Sequence, residues 1–240
     1  MPISKQYLNG EYILKNPTFH VEDSPWKVEQ ICKMLNRNKL LPKTVCEIGC
    51  GSGEIVRLLE KKISGLNSIH GFEISPQAYE LCKQRETELL KFYNLNLFDL
   101  KTAKYDLVLS IDVFEHVEDY FDYLRKLSFH GKDFIFHIPL DMNVQMILRA
   151  NPILYVREKV GHLHYFSKDT ALAALNDTGY SVVDWFYTPS GIDINNRLLA
   201  KIARLPRRIL FCFSQEYTSR ILGGYSLMVY ARSKNLVGDK

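Results

Sequence analysis

The segment Val45-Cys46-Glu47-Ile48-Gly49-Cys50-Gly51-Ser52-Gly53-Glu54 passes from a short β-rich run through three alternating glycines into a helical pattern. Glycines at such a bend let the backbone turn tightly and approach a ligand with no Cβ in the way. A dinucleotide fold spaces its glycines G-x-G-x-x-G and offers a helix N-terminus to the pyrophosphate. Here the third glycine comes one residue early, Glu47 precedes the loop and Glu54 opens the helix. Negative charge at this place disfavours a phosphate and suits a cationic amine or a sulfonium.

Outward from the loop, apolar runs and helical patterns alternate. Strands are expected at Thr44–Ile48, Ser68–Phe72, Phe92–Leu95, Asp106–Ser110, Asp133–Ile138, Tyr180–Tyr187 and Tyr225–Arg232. Between them, helices are expected at Glu54–Ile63, Gln77–Leu90, Tyr120–Leu127 and from Ser167 to Gly179, with an earlier one from Trp26 to about Leu40. The first 25 residues read as an irregular arm. Alternation of this kind predicts an α/β fold with a mostly parallel sheet and helices on both faces. Ligands of such sheets sit outside the carboxyl ends of the strands.

The glycine loop with Glu47 before it resembles motif I of class I S-adenosylmethionine-dependent methyltransferases. Three further segments extend the likeness. Glu73 and Ile74 close the second strand, where a carboxylate can accept both hydroxyls of a ribose. Asn96-Leu97-Phe98-Asp99 follows the third strand, where the family holds adenine; Asn96 or Asp99 fills the acidic place. Ser110-Ile111-Asp112-Val113-Phe114-Glu115-His116 follows the fourth, and Glu-His at this place is frequent in small-molecule members such as those of quinone biosynthesis. The resemblance implies a single Rossmann-like domain over 1–240 with a seven-stranded sheet whose last strand is antiparallel. In it, 1–41 forms an arm and helix, 42–140 the cofactor half and 141–240 the acceptor half. The cofactor implied is S-adenosyl-L-methionine, held by Glu47, Gly49, Cys50, Gly51, Gly53, Glu73, Ile74, Asn96, Leu97, Asp99 and Ser110.

Methyl transfer from a sulfonium needs alignment above all, and a base only if the acceptor must lose a proton. His137, at the end of an apolar strand, and Asp112 are the candidate acceptor-side groups, with His116 a third. His162-x-His164 with Asp141 or Asp112 follows no metal-ligand spacing, and no metal is expected. The acceptor is expected to be a small molecule, a glycan or a lipid-linked compound. The chain lacks the Asn/Asp-Pro-Pro-aromatic segment of amino-directed DNA enzymes and any RNA-binding module, so no nucleic acid is expected. Two rivals share the fold: a non-catalytic binding module, and an NAD-dependent oxidoreductase, which the glycine spacing disfavours.

Bulk properties agree with a globular protein. The 240 residues are 46% hydrophobic and 24% charged, and the net charge of +4 is too mild to demand a polyanion. Five cysteines show no paired spacing, and the N-terminus carries no apolar leader, which points to a cytoplasmic protein with reduced thiols. A long insertion, about 189–224, separates the last two strands. Within it Arg197, Lys201, Arg204, Arg207 and Arg208 alternate with apolar residues through Phe213, broken at Pro206. That composition suits a helical cover or peripheral contact with a membrane surface.

Overall fold

Strand β4 (Tyr105–Ile111) shows how the core is divided. Leu107, Leu109 and Ile111 point to one face and Val108 to the other, each into its own apolar cluster. β5 (Gly131–Pro139) does the same with Ile135 against Phe134, Phe136 and Ile138. A strand buried on both sides reads as an unbroken apolar run, because every side chain meets a covering layer.

The computed structural model describes residues 10–100, 104–149, 151–190 and 198–235, with backbone alone at 11 and 198–204. Among these residues seven strands make one sheet: β1 (Thr44–Ile48), β2 (Ser68–Phe72), β3 (Leu90–Tyr93), β4, β5, β6 (Tyr180–Thr188) and β7 (Ser226–Ser233). Their order is β3-β2-β1-β4-β5-β7-β6. β7 runs antiparallel to both neighbours and the other pairings are parallel. The strand order reverses between β1 and β4, so the carboxyl ends there open a crevice for a ligand.

Helix α2 (Ser24–Arg37) follows α1 (Glu11–Lys15) and covers one face with Val28, Ile31, Met34 and Leu35, joined by α3 (Glu54–Glu60). Arg37 locks the end of α2 to the sheet through a two-pronged pair with Asp184 at 2.8 and 2.9 Å. On the opposite face lie α5 (Tyr120–Leu127) and α8 (Lys168–Asp177). Ser167 caps α8 as expected, accepting from the Thr170 amide, and Gly179 follows with φ 100°.

Several boundaries differ from the sequence reading. α4 (Pro76–Lys83) ends well before Leu90, and β3 begins at Leu90 instead of Phe92. The cause is a polar turn: Thr87 Oγ1 accepts from the Leu89 and Leu90 amides, and Glu86 Oε1 from that of Phe92. The arm is not wholly irregular, since it carries α1 and a tight turn at Val21–Asp23. Between β5 and α8 lie two unforeseen short helices, α6 (Val144–Arg149) and α7 (Asn151–Lys159), neither of which buries a residue.

The insertion holds α9 (Leu198–Phe213) and α10 (Gln215–Leu222). Contrary to expectation, α9 runs straight through Pro206. That residue is exposed, so the carbonyl it leaves without a helical partner can turn to water. Arg207 donates to Gln145 Oε1 and joins α9 to α6. Arg197 lies outside the described residues, as do the side chains of Lys201 and Arg204.

Gly53 tests the packing beneath the loop. Its φ is 74°, and an added Cβ would stand 2.4 Å from the Phe92 ring and 2.7 Å from Cys82 Cβ. Gly53→Ala is expected to destabilise the fold by about 2–4 kcal/mol, the sum of overpacking and a left-handed backbone, read by urea denaturation.

Candidate active site

The crevice at the strand ends is a cavity of about 930 Å³. Its floor is the glycine loop, tied to β2 because the Gly49 and Cys50 amides both donate to the Phe72 carbonyl at 2.8 and 3.1 Å. Gly49 and Gly51 line the cavity. At Gly49 a Cβ would press within 3.1 Å of Val113, so the loop comes close to the segment after β4 only because a side chain is lacking.

Two carboxyls stand over this floor. Glu73 is 6% exposed, and its oxygens accept from the Gly51 and Ser75 amides, each at 2.8 Å. Burial raises its pKa and the amide hydrogen bonds restrain the rise. Glu47 is 2% exposed, and its Oε2 has no hydrogen-bond partner. Burial pushes the Glu47 carboxyl well above the usual range; nearby Lys27 opposes the shift and Glu73 adds to it. A buried carboxyl left this way is a site for a donor or cation to complete.

Beyond Glu73, Leu95, Asn96, Leu97 and Phe98 form the next wall. Asn96 Oδ1 accepts from the Phe98 amide and shapes a tight turn that buries Leu97.

At the far end Asp112 is the centre of an internal network. Its Oδ2 meets Lys27 Nζ at 2.8 Å and its Oδ1 meets His137 Nδ1 at 2.6 Å. His137 Nε2 in turn meets Thr188 Oγ1 at 2.9 Å. Burial alone would raise the Asp112 pKa, but the His137 and Lys27 charges outweigh it and hold the carboxyl far below the carboxylate range. Asp112 has φ 54°, a left-handed conformation uncommon outside glycine, held by this network and by its amide donating to the His137 carbonyl.

His116 also lines the cavity, and burial, reinforced by His162, pushes its pKa down to about 3. Beside it stand Glu115 and His162; the ligand-type atoms of these three lie within 4.8 Å of one another.

Of the residues singled out in the sequence, Glu47, Gly49, Cys50, Gly51, Glu73, Ile74, Asn96, Leu97, Asp112, His116 and His137 all line this cavity. Gly53, Asp99 and Ser110 do not. Gly53 serves packing, and Ser110 is buried in a hydrogen bond with the Tyr123 hydroxyl at 3.0 Å. Between Asn96 and Asp99, the cavity wall takes Asn96. The structure adds Lys27 and Thr188, which no local pattern marks, and it brings Glu115, His162 and Asp141 of the sequence reading together at this end. Tyr12 and Phe19 of the arm line the same space. The expectation of no metal considered His162 with His164, whereas His164 Nε2 faces the Val117 and Glu118 carbonyls and His162 is grouped with Glu115 and His116.

The profile of a family described as a methyltransferase domain matches residues 26–184. Among curated proteins, none matches the chain. Solved structures share the fold. Magnesium protoporphyrin IX methyltransferase from Synechocystis PCC 6803, with bound SAH, is 18% identical with a TM-score of 0.59, over 87% of this chain and 82% of that one. The N-methyltransferase NodS from Bradyrhizobium japonicum WM9, also with S-adenosyl-l-homocysteine, is 12% identical at a TM-score of 0.57, covering 92% and 97%. The [4+2]-cyclase SpnF is 12% identical at 0.53, covering 86% and 81%.

The shifts at Glu47 and Asp112 have opposite signs for stability. A carboxyl whose folded pKa is raised costs stability as pH climbs from its unfolded value toward the folded one. Glu47→Gln is therefore expected to stabilise the ligand-free protein at pH 7 and to flatten its loss of stability as pH rises above the ordinary carboxylate range, measured by urea denaturation across pH. Asp112, with a depressed pKa, adds stability above its unfolded value that is lost only in acid. Asp112→Asn, which leaves the partly buried Lys27 without its partner, is expected to cost about 1–3 kcal/mol at pH 7 in the same measurement.

Proposed function

Because the chain belongs to the methyltransferase-domain family of the class I S-adenosylmethionine-dependent superfamily, we propose that it transfers a methyl group from S-adenosylmethionine to a small acceptor with an apolar body, free or lipid-linked. The observation that carries this reading is the buried, incompletely hydrogen-bonded Glu47 carboxyl beside the glycine loop. The donor's ammonium and sulfonium charges suit such a group, and a pyrophosphate would meet repulsion from both Glu47 and Glu73.

When bound, S-adenosylmethionine supplies a methyl group on positively charged sulfur. Glu73 keeps spare lone pairs on both oxygens after accepting two amides, and these accept the ribose hydroxyls. Asn96 and Leu97 bound the adenine end, and Glu47 takes the amino end. Transfer discharges the sulfonium, so wall acids stabilise the ground state at least as much as the transition state. The rate must come from holding the acceptor in line and excluding water.

Asp112 and His137 serve that positioning and do not take up the acceptor's proton. His137 is 1% exposed and has both ring nitrogens engaged, and Asp112 is held as an anion by Lys27 and His137. On this reading Asp112 and His137, the acceptor-side candidates of the sequence, act as supports for the backbone after β4.

The acceptor side is lined by Val117, Leu140, Val156, Val160 and Tyr225. Outside it, Ile147 and Leu148 of α6 and Leu154 of α7 are exposed, Leu148 by 80%. Apolar residues that run from a cavity mouth onto an exposed helical face favour an acceptor presented from an apolar phase. Among the described residues no helix is long and apolar enough to cross a membrane, so such contact would be peripheral.

Calorimetry with S-adenosylmethionine, S-adenosylhomocysteine and NAD is the first test; preference for NAD would overturn the reading. Glu73→Ala is expected to weaken S-adenosylhomocysteine binding by roughly tenfold or more, and His137→Ala by less. Methyl-donor consumption should be greater with a lipid extract than with an aqueous metabolite extract. Tight donor binding with neither extract methylated would point to a binding module instead.

A further inference from the structure

We propose that Glu115, His116 and His162 bind one divalent first-row transition ion at the acceptor end of the cavity. Glu115 is 1% exposed, and neither carboxylate oxygen has a hydrogen-bond partner. A buried carboxyl in that condition calls for a compensating cation. His116 Nε2 lies 3.9 Å from Glu115 Oε1.

Both imidazoles are oriented as metal ligands are. His116 Nδ1 donates to the Gly161 carbonyl at 3.1 Å, which makes Nε2 the lone-pair atom of the ring. His162 Nδ1 meets Asp141 Oδ2 at 2.6 Å, which does the same for its Nε2. A carbonyl or carboxylate on the far nitrogen is the usual outer support of a ligating histidine. The two rings meet edge to face with centroids 4.8 Å apart. Backbone bonds fix the group: the Leu163 and His164 amides both donate to the Glu115 carbonyl, at 2.8 and 3.1 Å, and pin the loop after α7 onto the turn after β4.

Two histidines and one carboxylate select Mn2+, Fe2+ or Zn2+ over Mg2+ or Ca2+, which prefer oxygen. Ligand bonds of about 2.0–2.2 Å would draw the three atoms inward by several tenths of an ångström. His116 and His162 line the cavity while Glu115 lies behind them, so the remaining coordination positions face the acceptor. An ion there would coordinate an acceptor oxygen and lower the pKa of a hydroxyl, which the Asp112–His137 pair is not placed to deprotonate. That last step rests on the methyltransferase reading; the binding of the ion does not.

The test uses chelator-stripped full-length protein titrated with Mn2+ and with Zn2+ by calorimetry, without methyl donor. One equivalent is expected to bind. Glu115→Gln and His162→Ala should each lower affinity at least tenfold, and Asp141→Asn about tenfold through misorientation of His162. Retained S-adenosylhomocysteine binding checks the fold of each variant. Should a variant fail to fold, Mn2+ broadening of the His116 and His162 ring signals in the unaltered protein gives the same answer. Absence of stoichiometric binding, affinity unchanged in His162→Ala, or broadening at other histidines would overturn the proposal. Failure to bind the methyl donor would leave the metal titration unaffected, so the two readings fail separately.

Discussion

Burying carboxyl groups around one cavity is the constraint from which the rest of this structure follows. Glu47, Glu73, Asp112 and Glu115 all stand at the carboxyl ends of β1, β2 and β4. Several kcal/mol of desolvation attend each charge unless a partner repays it. Asp112 has Lys27 and His137, and Glu73 has two backbone amides. Glu47 keeps one oxygen without a hydrogen bond and Glu115 keeps two. The compensation is thus complete in the middle of the cavity and incomplete at two places, one beside the glycine loop and one at the acceptor end. Those two places define where positive charge belongs.

The same charges organise the cover. Lys27 comes from α2, so the pair with Asp112 fastens the N-terminal helix over the strand ends, and Arg37 with Asp184 fastens its other end. The arm before α2 is held differently. Asn16 donates to the Lys159 carbonyl, Lys159 to that of Lys15 and Lys15 to that of Glu158, so α1 and the end of α7 are clasped by a few bonds near the surface. Segments held by few exposed bonds open before a packed sheet does.

What the sequence disclosed follows from how local each signal was. β1, the glycine loop and α3 are consecutive, and strand, glycines and helix each announce themselves within a few residues. Ser167 was equally plain as a cap. β3 was displaced because its boundary depends on Thr87 and Glu86 side chains bonding to amides beyond the helix, which no periodicity records. α6 and α7 bury no residue, so no core-facing apolar stripe marks them. The acceptor end was least legible. Lys27, Asp112, His137 and Thr188 come from four separate elements, and Glu115 and His162 meet only because the loop after α7 is bonded to the Glu115 carbonyl. His137 was noticed as a polar residue closing an apolar strand, and that reasoning was sound. In the fold both of its ring nitrogens are engaged, by Asp112 and by Thr188.

The fold by itself leaves the chemistry open. A [4+2]-cyclase has the same architecture as two methyltransferases to which this chain is similar, so sheet order and a glycine loop are insufficient to name a reaction. The discriminating features are chemical. A glycine loop beside the buried Glu47 and Glu73 carboxyls disfavours a phosphate and suits a nucleoside carrying positive charge. Among the described residues, Glu115, His116 and His162 group at one end of the cavity, while Asp112 and His137 are bonded to one another. The two incomplete carboxyls lie apart, Glu47 beside the glycine loop and Glu115 behind His116 and His162.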